Sequence, residues 1–313
     1  MQFFVIGDWG GINVAPYYTE AQALVAKSMA DHEADFVINV GDNFYPAGVS
    51  SVKDPQFKRT FEDVYSSHNL QVPWYSILGN HDYDGSTSAQ LEYSKVSKRW
   101  VMPDLFYSVS YKTYSGVQVD FIMMDTQKLC GLEKQTVSKS AWKWVKKMLS
   151  KFSRKSDYLF VVGHHPVWSV HYRGPTACLV KDLRPLLHKY RVSAYFSGHD
   201  HTLEHLRHEH EGATVDYIVS GAGGYIKRKG MTDHVTDVPL GSLLFHYQGD
   251  DRSTSTERLD LGGFVHAHLR DDRGDFRFYQ GDGRLLYSAS IPPRSVAHGS
   301  DSSGLLDKLM FIT

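Results

Sequence analysis

Phe36-Val37-Ile38-Asn39-Val40-Gly41-Asp42-Asn43-Phe44-Tyr45 decides how the chain is read. Its apolar half has the pattern of a strand buried on both faces. Its second half is a sharp turn carrying a carboxylate, an amide and a phenol. Four other stretches repeat the arrangement. Residues 3–6 lead into Gly7-Asp8-Trp9-Gly10, and residues 74–78 into Gly79-Asn80-His81-Asp82. Residues 158–162 lead into Gly163-His164-His165-Pro166, and residues 192–196 into Gly198-His199-Asp200-His201. Strand ends in an open parallel sheet lie side by side, so the five turns are expected to meet in one crevice.

Around these stretches, apolar strands alternate with helical patterns over the first 200 residues. A helix is expected over 19–31, capped by Thr19, with Ala21, Leu24, Val25 and Met29 at helical spacing. Another is expected over 54–65 with Pro55 in its first turn. A third, over 138–152, turns Trp142, Val145, Leu149 and Phe152 inward and a row of lysines to solvent. After His201 the pattern changes to hairpins. Strands are expected over 203–209, 214–220, 242–247, 264–269, 276–280 and 285–291, with turns at Glu211-Gly212, 271–274 and 281–283. Residues 250–257 read as an exposed polar loop. The expected architecture is α/β, two packed sheets with helices outside.

The 313 residues suffice for a large core, and no linker divides them, so residues 1–295 read as one domain and 296–313 as a tail. With 34 basic and 35 acidic residues the charge is balanced, which gives no footprint for nucleic acid or an anionic membrane. No apolar run approaches the ~20 residues of a membrane helix. The mildly apolar residues 305–313 read as a docked or frayed terminus, with a truncated membrane anchor left open. Met1 stands directly before the first strand, so the protein is either cytosolic or supplied without a leader. Cys130 and Cys178 lack the spacing of a metal knuckle or redox pair, and composition leaves thiols and disulfide equally open.

The turns hold carboxylate, imidazole, amide and phenol, a set suited to iron, manganese or zinc. Two ions roughly 3.5–4 Å apart need a bridging ligand, and a carboxylate can span them. Asp42 ends the central strand and is the natural bridge. Asp8, His199 and His201 supply flanking ligands, Asn80 a carbonyl oxygen and His164 a nitrogen. The Tyr45 phenol ligates only where a strongly acidic cation strips its proton, and Fe³⁺ is the usual one. His205, His208, His210, His266 and His268 read as satisfied polar groups.

At these residues the chain resembles a calcineurin-type metallophosphoesterase, and within that superfamily a purple acid phosphatase of the small, mammalian-type tartrate-resistant branch. Most of the superfamily carries Asp-x-His at the first motif, where this chain has Asp8-Trp9-Gly10. The purple enzymes place a tyrosine three residues after the bridging aspartate, and Tyr45 stands there. The likeness extends from Phe3 to about Pro293, through Pro166-Val167-Trp168-Ser169, Gly174-Pro175-Thr176, residues 220–223 and Leu261-Gly262-Gly263-Phe264.

The resemblance implies a four-layer α-β-β-α sandwich of two mixed sheets flanked by helices, the metallophosphoesterase fold. It implies Fe³⁺ on Asp8, Asp42, Tyr45 and His201, and Fe²⁺, Zn²⁺ or Mn²⁺ on Asp42, Asn80, His164 and His199. It also implies acid hydrolysis of phosphate monoesters by a metal-bound hydroxide, with His81 as hydrogen-bond donor or general acid. It pairs Cys130 with Cys178, and a disulfide implies secretion or a lysosome-like lumen. Expected partners are small phosphate monoesters or phosphoproteins, acted on by a monomer. The alternatives are a non-catalytic scaffold or receptor, and a phosphodiesterase or nucleotide phosphatase on the same centre.

Several positions depart from the family. Arg173 replaces a histidine before Gly174-Pro175-Thr176, Tyr172 replaces a glutamate, and Gly224-Tyr225 replaces Asn-Phe. Arg173 clamps phosphate in this reading, and His171 or His165 takes over protonation. Tyr172, Tyr225 and Lys227, followed by Arg228 and Lys229, make the substrate rim.

Overall fold

The computed structural model describes residues 1–113, 115–132, 135–227, 232–249 and 261–294. The loop at 250–257, the tail at 296–313 and the rim residues Arg228 and Lys229 lie outside the described residues.

Among the described residues, fourteen strands form two sheets. In chain order they are β1 (Gln2–Ile6), β2 (Phe36–Asn39), β3 (Trp74–Ser76), β4 (Trp100–Val101), β5 (Phe106–Lys112), β6 (Gln118–Met124) and β7 (Tyr158–Val162). There follow β8 (Ala194–Ser197), β9 (Leu203–His210), β10 (Ala213–Ser220), β11 (Leu243–His246), β12 (Gly263–Leu269), β13 (Gly274–Gln280) and β14 (Leu285–Ile291). One sheet has the order β14-β13-β12-β1-β2-β3-β4 and the other β11-β9-β10-β8-β7-β6-β5. Both are mixed. β1 pairs parallel with β2 but antiparallel with β12, and β10 pairs parallel with β8 but antiparallel with β9.

Alternation along β1 shows why the layers stack. Phe3 and Val5 enter the core between the sheets with Phe36, Phe121, Phe160, Phe196 and Phe276, whereas Phe4 and Ile6 enter a second core on the outer face. α1 (Glu20–Ala30) contributes Val25, Ala26 and Met29 to that outer core. Below α1 in the chain come α2 (Thr87–Tyr93), α3 (Thr126–Cys130), α4 (Lys139–Phe152) and α5 (Arg184–Lys189). α4 buries Val145, Leu149 and Phe152 against Ile122, Leu159 and Val161, closing the far face of the second sheet. The architecture is the expected α-β-β-α sandwich.

Three details differ from the sequence reading. The five ligand-bearing turns do not follow one parallel sheet: three leave β1, β2 and β3 in the first sheet, and two leave β7 and β8 in the second. Hairpins also begin earlier than expected, because β5 and β6 pair antiparallel before residue 201. The helix around 54–65 widens to π geometry over Phe57–Glu62, where Asp63 N–H reaches Lys58 O at 2.8 Å, and Phe57 stacks on Tyr93 at 3.8 Å.

Cys130, at the end of α3, is bonded to Cys178, with Cα atoms 5.9 Å apart and a sequence separation of 48. Closing a loop of that size restricts the unfolded chain, so the Cys130→Ser/Cys178→Ser double variant is expected to lose about 2–4 kcal/mol. Urea unfolding measures this, and an unchanged midpoint would contradict it.

Candidate metal centre

The turns are knitted together where their strands end. Asp8 N–H donates to Gly41 O at 2.9 Å, joining the turns after β1 and β2. Gly198 N–H donates to His164 O at 2.9 Å, joining those after β7 and β8. The sheets meet at Gly7, whose N–H donates to Ser220 O at 2.8 Å, and at His199, whose N–H donates to Asp8 Oδ2 at 2.9 Å. Trp9 anchors the first turn, with its ring among Phe44, Phe61, Tyr65 and Trp74 and its Nε1 donating to Asn39 Oδ1 at 2.9 Å.

Three donor-bearing residues take left-handed backbone: Asp8 at φ 56°, Asp42 at 54° and His199 at 68°. Non-glycine residues avoid that region at a cost of order 1–3 kcal/mol, and such strain persists where the surroundings over-determine it. Here it turns three side chains into one crevice.

Asp42 Oδ2 is shared by two donor groups. It lies 3.1 Å from the Tyr45 hydroxyl, which is itself 3.3 Å from Asp8 Oδ1 and 3.3 Å from His201 Nε2. It also lies 3.5 Å from His164 Nε2, which is 3.2 Å from Asn80 Oδ1. His199 completes the second group with Asp42 and His164. The structure thus brings all seven expected side chains together. Gaps of 3.1–3.5 Å between donors match the edges of a shell with ligand distances of about 2.0–2.2 Å. His164 Nδ1 donates to Val40 O at 2.8 Å, which leaves Nε2 with its lone pair turned to the donor group.

Electrostatics also favour a cation here. Burial, reinforced by Asp42, raises Asp8 well above the carboxylate range despite the pull of His164. Burial works the same way on Asp42, but His164 and the His81 amide overcome it and hold that carboxyl below its usual range. Tyr45 is raised by burial and by both carboxylates. Burial lowers His199 and brings His201 down to about 3. His164 is lowered by its own burial but raised more by Asp42, to about 9, so without metal these two pair as ions while Asp8, Tyr45, His199 and His201 favour their neutral forms. The donors are acceptor-rich and short of positive charge, and a cation pair fits that deficit.

Around the crevice, His81 donates from Nδ1 to Pro46 O at 2.6 Å and packs against Tyr45 at 4.6 Å. A carbonyl only accepts, so Nε2 remains for proton delivery. Arg173 is exposed at the rim, with its N–H bonded to Asp200 Oδ1 at 2.8 Å. Its charge helps to lower His199, His201 and His165. Lys227 Nζ sits 3.4 Å over the Tyr172 ring, and Tyr225 lies 4.1 Å from His201. The two histidines expected to replace the lost acid are placed differently. His171 is fully buried beside Glu204 and His246, in a group separate from the crevice donors. His165 is buried against His199, with Nδ1 on Thr126 Oγ1 at 2.8 Å, and burial lowers its pKa well below the ordinary value.

Comparison with known proteins follows the same lines. The calcineurin-like phosphoesterase family matches residues 1–203. Tartrate-resistant acid phosphatase type 5 of Rattus norvegicus is 39% identical over 312 residues, covering 94% of this chain and 91% of the relative. The chain belongs to this family, in its purple acid phosphatase branch. Purple acid phosphatase 7 of Arabidopsis thaliana is 33% identical over 318 residues, covering 94% of this chain and 87% of that one. Among solved structures, "GAP50 the anchor in the inner membrane complex of Plasmodium" aligns with a TM-score of 0.79 at 25% identity, covering 95% and 90% of the two chains. Membership implies a dinuclear metal centre. No helix among the described residues is long and apolar enough to cross a membrane.

Sequence reasoning missed the layer that holds the phosphoesterase donors in place. Asp82 accepts from Gly79 N–H at 2.8 Å, from Asn43 N–H at 3.1 Å and from Gln90 Nε2 at 2.8 Å. Asn43 bonds Asn39 and Ile77 O. Asp200 accepts from Ser169 Oγ at 2.6 Å. Asp82 and Asp200 both follow ligand positions closely inside buried turns, where a carboxylate must collect backbone donors. That was the available signal.

Proposed function

We propose that this protein is a metal-dependent acid phosphatase that hydrolyses phosphate monoesters at the crevice. The observation that carries the reading is the sharing of Asp42 Oδ2 between two donor groups, one containing the Tyr45 phenol. Asp8, Asp42, Tyr45 and His201 would hold Fe³⁺, and Asp42, Asn80, His164 and His199 would hold Fe²⁺, Zn²⁺ or Mn²⁺. When bound, the pair supplies Lewis-acid charge to phosphate oxygens and acidifies water enough for work at low pH.

The protein's own groups supply the rest. Asp8, Asp42 and the Tyr45 oxygen balance the cations. Arg173 holds substrate oxygens by its planar fork and stays charged, so it cannot serve as the acid. His81, held through Nδ1 on Pro46 O, delivers its Nε2 proton to the departing alkoxide oxygen. Tyr172, Tyr225 and Lys227 flank the ester's leaving group. We assign the activity to a monomer formed by one domain over residues 1–295, acting on small esters or phosphoproteins and not on nucleic acid. The Cys130–Cys178 disulfide favours secretion or a lysosome-like lumen.

The experiment combines metal analysis, a visible spectrum and para-nitrophenyl phosphate hydrolysis across pH. Iron with a divalent partner, a purple or pink colour and a pH optimum below neutral are expected. Tyr45→Phe should bleach the colour, which comes from tyrosinate on Fe³⁺. An iron-replete protein that is colourless and inert would overturn the reading. The likeness to the Plasmodium anchor protein favours a second reading, a scaffold on the same fold. Retention of all seven donors argues for the enzyme, and the same assay separates the two.

A further inference from the structure

A second buried donor cluster lies behind the crevice and shares no residue with the first. His171, Glu204 on β9 and His246 at the end of β11 each place one ligand atom within 4.8 Å of the other two. His171 and Glu204 are fully buried, and the His246 side chain is 4% exposed. Neither ring nitrogen of His246 has a hydrogen-bond partner among the described residues. Leaving both unmet in the interior is costly. His246 Nε2 lies 3.8 Å from Glu204 Oε1, too far for a hydrogen bond. The gap is near the roughly 3.3 Å edge of a tetrahedron built on zinc–ligand distances of about 2.0–2.1 Å.

The carboxylate is already aimed. Glu204 Oε2 accepts from Val170 N–H at 3.1 Å, and Oε1 lies 3.1 Å from Ser169 Oγ. The same hydroxyl lies 2.6 Å from Asp200 Oδ2. Two buried carboxylates therefore sit around one serine, and among the described residues neither forms a side-chain ion pair with lysine or arginine. Burial and the Asp200 charge push the Glu204 carboxyl up to about 8, the response of an anion without its counter-charge.

We propose that His171, Glu204 and His246 form a third cation site that takes one Zn²⁺. Two imidazoles and a carboxylate are a recognised donor set for a zinc ion whose fourth position is left to water. Its place in the fold gives it a purpose. Ser169 links Glu204 to Asp200, and Asp200 holds the Arg173 N–H at 2.8 Å. A cation there fastens the Tyr172–Arg173 rim to β9, to β11 and to the turn bearing His199 and His201.

The test uses the full chain, expressed with zinc and dialysed into metal-free buffer, with zinc measured by elemental mass spectrometry. Glu204→Gln is expected to carry one zinc fewer per chain than the wild type while keeping the Tyr45-dependent colour. The readout is a difference, so it stands apart from whatever fills the crevice. Equal zinc in the two proteins overturns the proposal. Should Glu204→Gln fail to fold, anomalous diffraction at the zinc edge from wild-type crystals decides. A peak between the three side chains is expected, and no peak there overturns the proposal.

Discussion

Asp42→Asn is expected to cut para-nitrophenyl phosphate turnover by at least ~10³-fold, equivalent to about 4 kcal/mol of barrier. It should also empty the crevice of both cations. The substitution keeps the size of the side chain and removes its charge and one oxygen. Asp42 Oδ1 is committed to the His81 N–H at 2.9 Å, so the variant's carbonyl oxygen takes that bond. Its NH₂ then points to where Oδ2 lay 3.1 Å from Tyr45 and 3.5 Å from His164. A donor at the shared position repels both ions at once. Substitutions at Asn80 or His199 remove one ligand from one group only and should leave the other ion in place. Far-ultraviolet circular dichroism should match the wild type, since the backbone donors to residue 42 remain satisfied. Retention of two crevice cations and full turnover would remove the basis of the proposed function.

Much of the crevice was legible because it is built from local signals. Each of the five turns follows an apolar run through a glycine, and that grammar survives without knowing which strand lies beside which. The Thr19 cap and the 138–152 helix were legible for the same reason: Thr19 Oγ1 accepts from Gln22 N–H at 3.0 Å, and Ser138 Oγ accepts from Ala141 N–H at 3.2 Å. Pairing was not legible. Residues 158–162 and 36–40 are equally apolar because every parallel strand here is covered on both faces, so nothing local says that they belong to different sheets. The β5–β6 hairpin escaped notice because Ser108 and Ser110 dilute the apolar pattern of β5. His171 read as a crevice residue because it stands two positions before Arg173. The loop instead buries it beside Glu204 and His246, which are 33 and 75 residues further along. Long-range placement of that kind leaves no trace in spacing.

Gly10→Ala is expected to destabilise the protein by roughly 2–3 kcal/mol, the cost of overpacking against a rigid neighbour, and to lower its melting temperature by several degrees. A Cβ at position 10 would stand 2.7 Å from Phe44 N, 2.8 Å from Phe44 Cα and 2.8 Å from Tyr45 N. These are backbone atoms, and no rotamer change relieves them. The closeness has a function, because Tyr45 N–H donates to Gly10 O at 3.0 Å and this contact carries the phenol to Asp8 and Asp42. Separating the two turns by a few tenths of an ångström should weaken the colour as well as the fold. In this chain the turn that brings Tyr45 in leaves no space for a side chain at position 10. Gly10→His combined with Tyr45→Phe should therefore fail to restore turnover, although it exchanges one recognised ligand for another. Thermal melts and visible spectra of Gly10→Ala settle the point. Wild-type stability with unaltered colour would show that the two turns need not touch.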